Sequence, residues 1–141
     1  MNTLNNSNLE IKRGSIIMVD LPLGNGSVQG GTRPAVVISN DKGNNSVQGG
    51  VRPAVVISNN RGNKFSPVLI VVPLTSRVKK FMPTHHTIEP SMINGLTKTS
   101  IALAEQIITI GKDTVRNIVG TLEEIDINFI NRKVMTSLAL F

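Results

Sequence analysis

Residues 27–44 read SVQGGTRPAVVISNDKGN and residues 46–63 read SVQGGVRPAVVISNNRGN, with fifteen of eighteen positions identical at an offset of nineteen. Two copies of a short unit do not make a solenoid, because at least about three must stack to bury a continuous core. Identity that extends into the loop residues points instead to a tandem duplication inside an existing domain, leaving one copy in surplus. Each copy contains the run Ala-Val-Val-Ile-Ser. A short, apolar, β-branched segment of this kind suits a central strand covered on both faces. Two such segments compete for one place in a sheet.

With 141 residues the chain suits one domain, expected over 11–141. Residues 1–10 (MNTLNNSNLE) are polar, lack the apolar stretch of a secretion signal, and are expected to form a disordered lead. Apolar residues at 40% and charged residues at 17% indicate a globular chain rather than a disordered one. The longest apolar runs, such as residues 68–72, are too short to cross a bilayer. Without cysteine there is neither a disulfide framework nor a thiolate metal site, and a cytoplasmic location is expected. The formal charge of +6 is unevenly placed. Residues 1–98 hold eleven Lys/Arg against four Asp/Glu, and residues 99–141 hold four against five. Such a bias favours polyanionic partners, with phosphate backbones foremost. There is no Trp or Tyr and there are only four Phe, so a row of stacking rings for single-strand binding is excluded. Nucleic acid would be held by hydrogen bonds and charge.

Strand signals dominate the first two-thirds. Residues 15–20 (SIIMVD) predict a first strand, and the Gly-Asn segments after each repeat copy predict hairpin turns. Residues 68–75 (VLIVVPLT) form the strongest strand pattern, in which Pro73 requires a bulge or an unpaired position. Further strands are expected over 85–88 and 100–108. Asp113 reads as the cap of a short helix through Val119, ended by Gly120. Residues 121–124 (TLEE) read as a capping box for a C-terminal helix over 122–140, whose apolar positions from Leu122 to Leu138 have helical spacing. The expected fold is mostly β (α+β): a small, strongly bent antiparallel sheet or barrel with helices at its edge.

Several residues suit chemistry. In Gln-Gly-Gly-x-Arg-Pro, the glycines allow close backbone approach and the proline fixes entry into the strand. The arginine, Arg33 or Arg52, is thereby presented at a loop–strand junction, where its fork grips a phosphate with two hydrogen bonds. Thr75 and Ser76 place hydroxyls at the end of the strongest strand, and Glu105 and Gln106 are a polar pair within an apolar stretch. His85 and His86 invite two-histidine acid–base chemistry, but neighbouring strand residues point to opposite faces. A metal site there lacks nearby carboxylates.

Taken together, Lys12-Arg13-Gly14, Val19-Asp20-Leu21, Gly26-Ser27-x-Gln29-Gly30-Gly31-x-Arg33-Pro34 and the matching Ser46-x-Gln48-Gly49-Gly50-x-Arg52-Pro53 resemble the MazF/PemK toxins. Asn63-x-Phe65-Ser66-Pro67, Pro83-Thr84-His85, Ser100-x-Ala102-Leu103-x-Glu105-Gln106-Ile107 and the ending Ser137-Leu138-Ala139-Leu140 resemble them as well. The resemblance covers roughly residues 11–141 except one repeat copy. It implies an SH3-like barrel, a homodimer, a cognate antitoxin, and cofactor-free cleavage of single-stranded RNA. It further implies a catalytic pair made of the Gly-Gly-x-Arg-Pro arginine and Thr75, with Ser46, Gln48, Ser76, Ser100, Glu105 and Gln106 along the RNA groove.

The spacing from Arg13-Gly14 to Arg33 fits the family through copy one, and that from Arg52 to Thr75 fits it through copy two. Arg52 is the favoured arginine, because residues 59–67 join copy two directly to the next strand and a loop insertion costs little closure entropy. Arg33 is the alternative. Two other functions stay open: a gyrase-poisoning toxin of the same barrel type, and a catalytically dead homologue that still docks an antitoxin.

Overall fold

A computed structural model describes residues 10–21, 50–77 and 80–140. Repeat copy one and the polar lead through residue 9 lie outside these residues, and with them Arg33, Ser46 and Gln48. In chain order the elements are β1 (Ser15–Leu21), β2 (Gly50–Val56), α1 (Asn60–Phe65), β3 (Val68–Thr75), β4 (His85–Ile88), β5 (Ser100–Leu103), β6 (Ile108–Gly111), β7 (Val115–Thr121) and α2 (Glu124–Leu138). All pairings are antiparallel. The strand order is β4-β5-β3-β2-β1-β7, and β6 also pairs with β3.

β2, from the second repeat copy, fills the central slot between β1 and β3. Its apolar run is covered on both faces, as its composition requires. Val55 joins Ile16, Val72, Leu74 and Ile88 in one core, closed by Leu122 and by Ile130 of α2. Ala54 and Val56 join Ile17, Val19, Leu69 and Val71 in a second core on the other face. Ile110 of β6 and the half-buried Val115 and Ile118 of β7 pack against this second core as well. The sheet therefore curls until strands from its two ends share one apolar interior. Among the described residues, no helix is long and apolar enough to cross a membrane.

Four local expectations differ from the observed structure. Residues 113–119 are not a helix: Lys112–Thr114 is a single 3-10 turn, and β7 follows. Its Val115, Ile118 and Val119 are β-branched, and pairing with β1 along its length outweighs the cap and stop signals at Asp113 and Gly120. The stretch 100–108 is not one strand but β5, a 3-10 turn at Ala104–Gln106, and β6. The turn lets β3 pair with β6 along its first half and with β5 at its end. The hairpin after copy two contains α1, whose cap Asn59 accepts a hydrogen bond from the Gly62 N–H at 2.7 Å. Finally, the C-terminal helix begins at Glu124 with Glu123 as a cap that makes no side-chain capping bond. Thr121 belongs to β7, so the capping box does not form.

Candidate functional site

Two prolines shape the site. The Ile57 N–H donates to the Ile70 carbonyl, so by strand alternation residues 70, 72 and 74 turn their main-chain groups toward β2. Pro73 turns away from β2, toward the side where pairing with β6 has ended at Val71 and pairing with β5 resumes at Leu74. Its missing N–H removes no bond from the β2 ladder. Pro53 is different, because it faces β3 and has no N–H to give. The β2–β3 ladder stops at Ala54 opposite Pro73. Past that point the strand ends open, and two positions on, Arg52 stands in register with Thr75.

The opening is a cavity of about 390 Å³ lined by both repeat-derived and strand-end residues, among them Arg52, Pro53, Leu74, Thr75, Ser76 and Ser100. The remaining wall comes from residues 95–98 of the β4–β5 loop, with Met18 and Val119. Arg52 is half-buried, and Thr75 and Ser100 are buried. The Thr75 hydroxyl accepts from the Arg77 N–H at 3.1 Å and donates to the Arg77 carbonyl at 3.2 Å. The Ser100 hydroxyl donates to the Lys98 carbonyl at 3.0 Å. Both hydroxyls thus fasten the main chain of a neighbouring basic residue. Arg52 and Lys98 are the charged residues of the described lining, which contains no carboxylate. A cavity of this make-up attracts an anion and offers it hydrogen-bond donors.

A second cavity of the same volume lies between Glu10, Lys12, α1 and Lys112. It has three lysines, but a carboxylate sits among them and no strand register converges on it. The Arg52 cavity is the better candidate for chemistry.

Glu105 and Gln106 lie elsewhere. Both are buried in the 3-10 turn between β5 and β6 and do not line the Arg52 cavity. The Glu105 carboxylate accepts from the Thr84 hydroxyl at 2.8 Å and lies 3.0 Å from His85 Nε2. The Met82 N–H donates to His85 Nδ1, so that nitrogen carries no proton and Nε2–H is the donor to Glu105. Gln106 Oε1 is buried with no partner among the described residues. His86 points the other way, 2.8 Å from Asp126 Oδ1 and stacked on Phe129 of α2. The two imidazoles therefore face different surroundings, and neither lines the cavity. No group of three or more potential His, Asp or Glu metal ligands occurs among the described residues.

Lys98 escaped the sequence reading. The signal that could have found it is its place two residues before Ser100, where β5 starts beside the end of β3.

Comparison with known proteins adds the following. Residues 12–48 and 45–138 match the family described as PemK-like, MazF-like toxin of type II toxin-antitoxin system. The chain is 35% identical over 131 residues to Endoribonuclease MazF of Staphylococcus saprophyticus, covering 92% of each. An endoribonuclease from a Mycobacterial species, solved in complex with its cognate antitoxin, is 25% identical with a TM-score of 0.65, covering 92% of this chain and 96% of that one. MazF from Deinococcus radiodurans, at 19% identity and a TM-score of 0.66, covers 94% of this chain and 100% of its own, a likeness of fold.

Proposed function

The chain belongs to the family of PemK-like, MazF-like toxins of type II toxin–antitoxin systems, and from that membership we propose that it is an endoribonuclease cleaving single-stranded RNA with Arg52 and Thr75. The observation that supports this reading is the shared cavity: Arg52 of β2 and Thr75 of β3 both line it, where Pro53 ends the ladder.

RNA brings its own nucleophile. The ribose 2′-oxygen attacks the adjacent phosphorus in line, forming a new P–O bond as the bond to the 5′-oxygen breaks. The 2′-hydroxyl loses its proton, and the departing 5′-oxygen gains one. The enzyme aligns this attack and stabilises the added negative charge on the phosphorane. Arg52 supplies the compensating positive charge through a two-pronged contact to the non-bridging oxygens, with no metal required. Thr75 donates a hydrogen bond to one of those oxygens, exchanging the long bond to the Arg77 carbonyl for a charge-assisted one. The products are a 2′,3′-cyclic phosphate and a 5′-hydroxyl, and DNA, lacking the 2′-hydroxyl, resists.

Ser76 and Ser100 contact the RNA beside the cleaved link. Glu105 and Gln106 act from beneath, through the turn that sets the end of β5. A homodimer, a cognate antitoxin like that of the mycobacterial relative, and a cytoplasmic location complete the proposal.

The test is incubation of the pure protein with single-stranded RNA in EDTA. Cleavage by the wild type, lost in Arg52→Ala and kept in Arg33→Ala, supports the assignment. The reverse pattern gives the role to Arg33. Intact RNA from the wild type, together with tight antitoxin binding or gyrase inhibition, overturns the nuclease reading.

A further inference from the structure

The β4–β5 loop, residues 89–99, is held with unusual completeness for a surface connection. Asn94 is fully buried, and its side-chain amide makes four hydrogen bonds. Its Oδ1 accepts from the N–H groups of Ser91 and Leu96, while its Nδ2 donates to the Glu89 carbonyl and to Glu123 Oε1. That saturates the amide, with two donors and two lone pairs used. The Thr121 N–H donates to the Ile93 carbonyl, tying the loop to β7.

Backbone lies directly on backbone at this seam. Gly95 has a φ of +70°, and a Cβ there would stand 2.3 Å from the Val119 carbonyl oxygen. A Cβ at Gly120 would stand 2.5 Å from the backbone of Ile93 and Asn94. Such an approach is open only to glycine. The loop is thus a preformed wall of the cavity, and Lys98 belongs to its lining, with the Ser100 hydroxyl holding the Lys98 carbonyl.

Among the described residues, no carboxylate forms an ion pair with the Lys98 ammonium group. Lys98 is exposed, and no acidic side chain lines the cavity among the described residues. A fixed loop that leads a lysine into a site already holding an arginine concentrates positive charge where a phosphate must sit. We propose that Lys98 is a second phosphate-contacting cation of the cleavage site, binding the substrate backbone next to the link that Arg52 neutralises. This rests on the nuclease reading above. Arg52 presents a planar fork to the reacting phosphorus, whereas Lys98 offers a point charge on a flexible stem, suited to a neighbouring phosphate.

The experiment measures kcat/KM for a single-stranded RNA oligonucleotide across a range of salt, for the full chain and the variants Lys98→Ala, Lys98→Arg and Arg52→Ala. Loss of one charge-assisted contact lowers kcat/KM of Lys98→Ala by about tenfold at low salt. Its log–log salt dependence becomes shallower by about 0.7, the contribution of one phosphate on a single strand. Lys98→Arg keeps most of the activity, and the melting temperature of all three variants stays at the wild-type value. If Lys98→Ala matches wild type in rate and salt slope while Arg52→Ala is inactive, the Lys98 assignment fails and the nuclease reading stands. If Lys98→Arg is as impaired as Lys98→Ala, charge is not what Lys98 contributes, and the assignment fails again. If the Arg52 variant also cleaves at the wild-type rate, the Arg52 assignment is overturned, and if the wild type leaves the RNA intact, the underlying nuclease reading is.

Discussion

Around His85, a hydroxyl, an imidazole and a carboxylate bond to one another, with Thr84 and His85 both donating to Glu105 and the Met82 N–H closing the far side of the ring. Around Arg52, the hydroxyls of Thr75 and Ser100 bond to main chain among the described residues, and the charged residues line a cavity. The residue types in the first cluster look more catalytic than those in the second. Their burial decides otherwise: a polar set satisfied within the interior fixes one conformation and offers a substrate nothing. A cationic set left at the open end of a ladder has electrostatic potential to spend on an incoming anion. The difference originates in backbone chemistry, since Pro53 ends the β2–β3 ladder at one place while the Ala104–Gln106 turn folds Glu105 inward at the other.

Substitution at each cluster can break or sharpen this contrast. The largest effect belongs to Arg52→Ala. Removing one preorganised donor to a developing oxyanion costs about 10²- to 10³-fold in kcat, or about 3–4 kcal/mol. Stability should be unchanged, because Arg52 lies at the half-buried end of β2. Single-turnover RNA cleavage with a parallel urea titration separates the two quantities. An equal loss of folding stability would place Arg52 with the structural cluster.

Glu105→Ala should act in the opposite sense, on folding. It leaves the Thr84 hydroxyl and the His85 Nε2–H buried without their acceptor. The expected loss is about 3 kcal/mol, in the range for leaving two buried donors without their acceptor. A urea midpoint within error of the wild type would show that the His85 cluster is not the closed structural unit described above.

The same contrast explains what could be read from the chain beforehand. β3 and β4 have the boundaries expected over 68–75 and 85–88, because apolar, β-branched composition and strand-end residues are local signals. β7 carries helix signals in its sequence since Asp113 and Gly120 are strong helix punctuation, while the partner that makes 115–121 a strand is β1, about a hundred residues earlier. The polar pair Glu105-Gln106 was legible as unusual. Which way it faced was not, because that depends on a 3-10 turn placed by the pairing of β3 with both β5 and β6. Arg52 and Thr75 stood out through motif and strand end, respectively. Lys98 had no motif of its own, and it entered the cavity only through a loop seam built from Asn94, Gly95 and Gly120.

That seam provides the smallest and most specific prediction. Glu123 joins the loop to the start of α2, accepting from the Ser91 hydroxyl and from Asn94 Nδ2. The Ser91 hydrogen bond, assisted by the residue's own backbone N–H and by Asn94, holds its carboxyl below the usual carboxylate range, against the opposing effect of burial. A carboxyl depressed in the folded state contributes stability at pH values above its unfolded pKa, near 4.5, and that contribution is lost as pH falls through the folded value. Glu123→Gln should therefore be less stable than wild type at pH 6, and the gap between the two should close as pH is lowered below about 4. Thermal melts of both proteins from pH 6 to pH 3 measure this gap directly. A constant difference across that range would mean that the carboxylate does not clamp the loop through its charge, and the rigid wall that presents Lys98 would then rest on Asn94 and the two glycines alone.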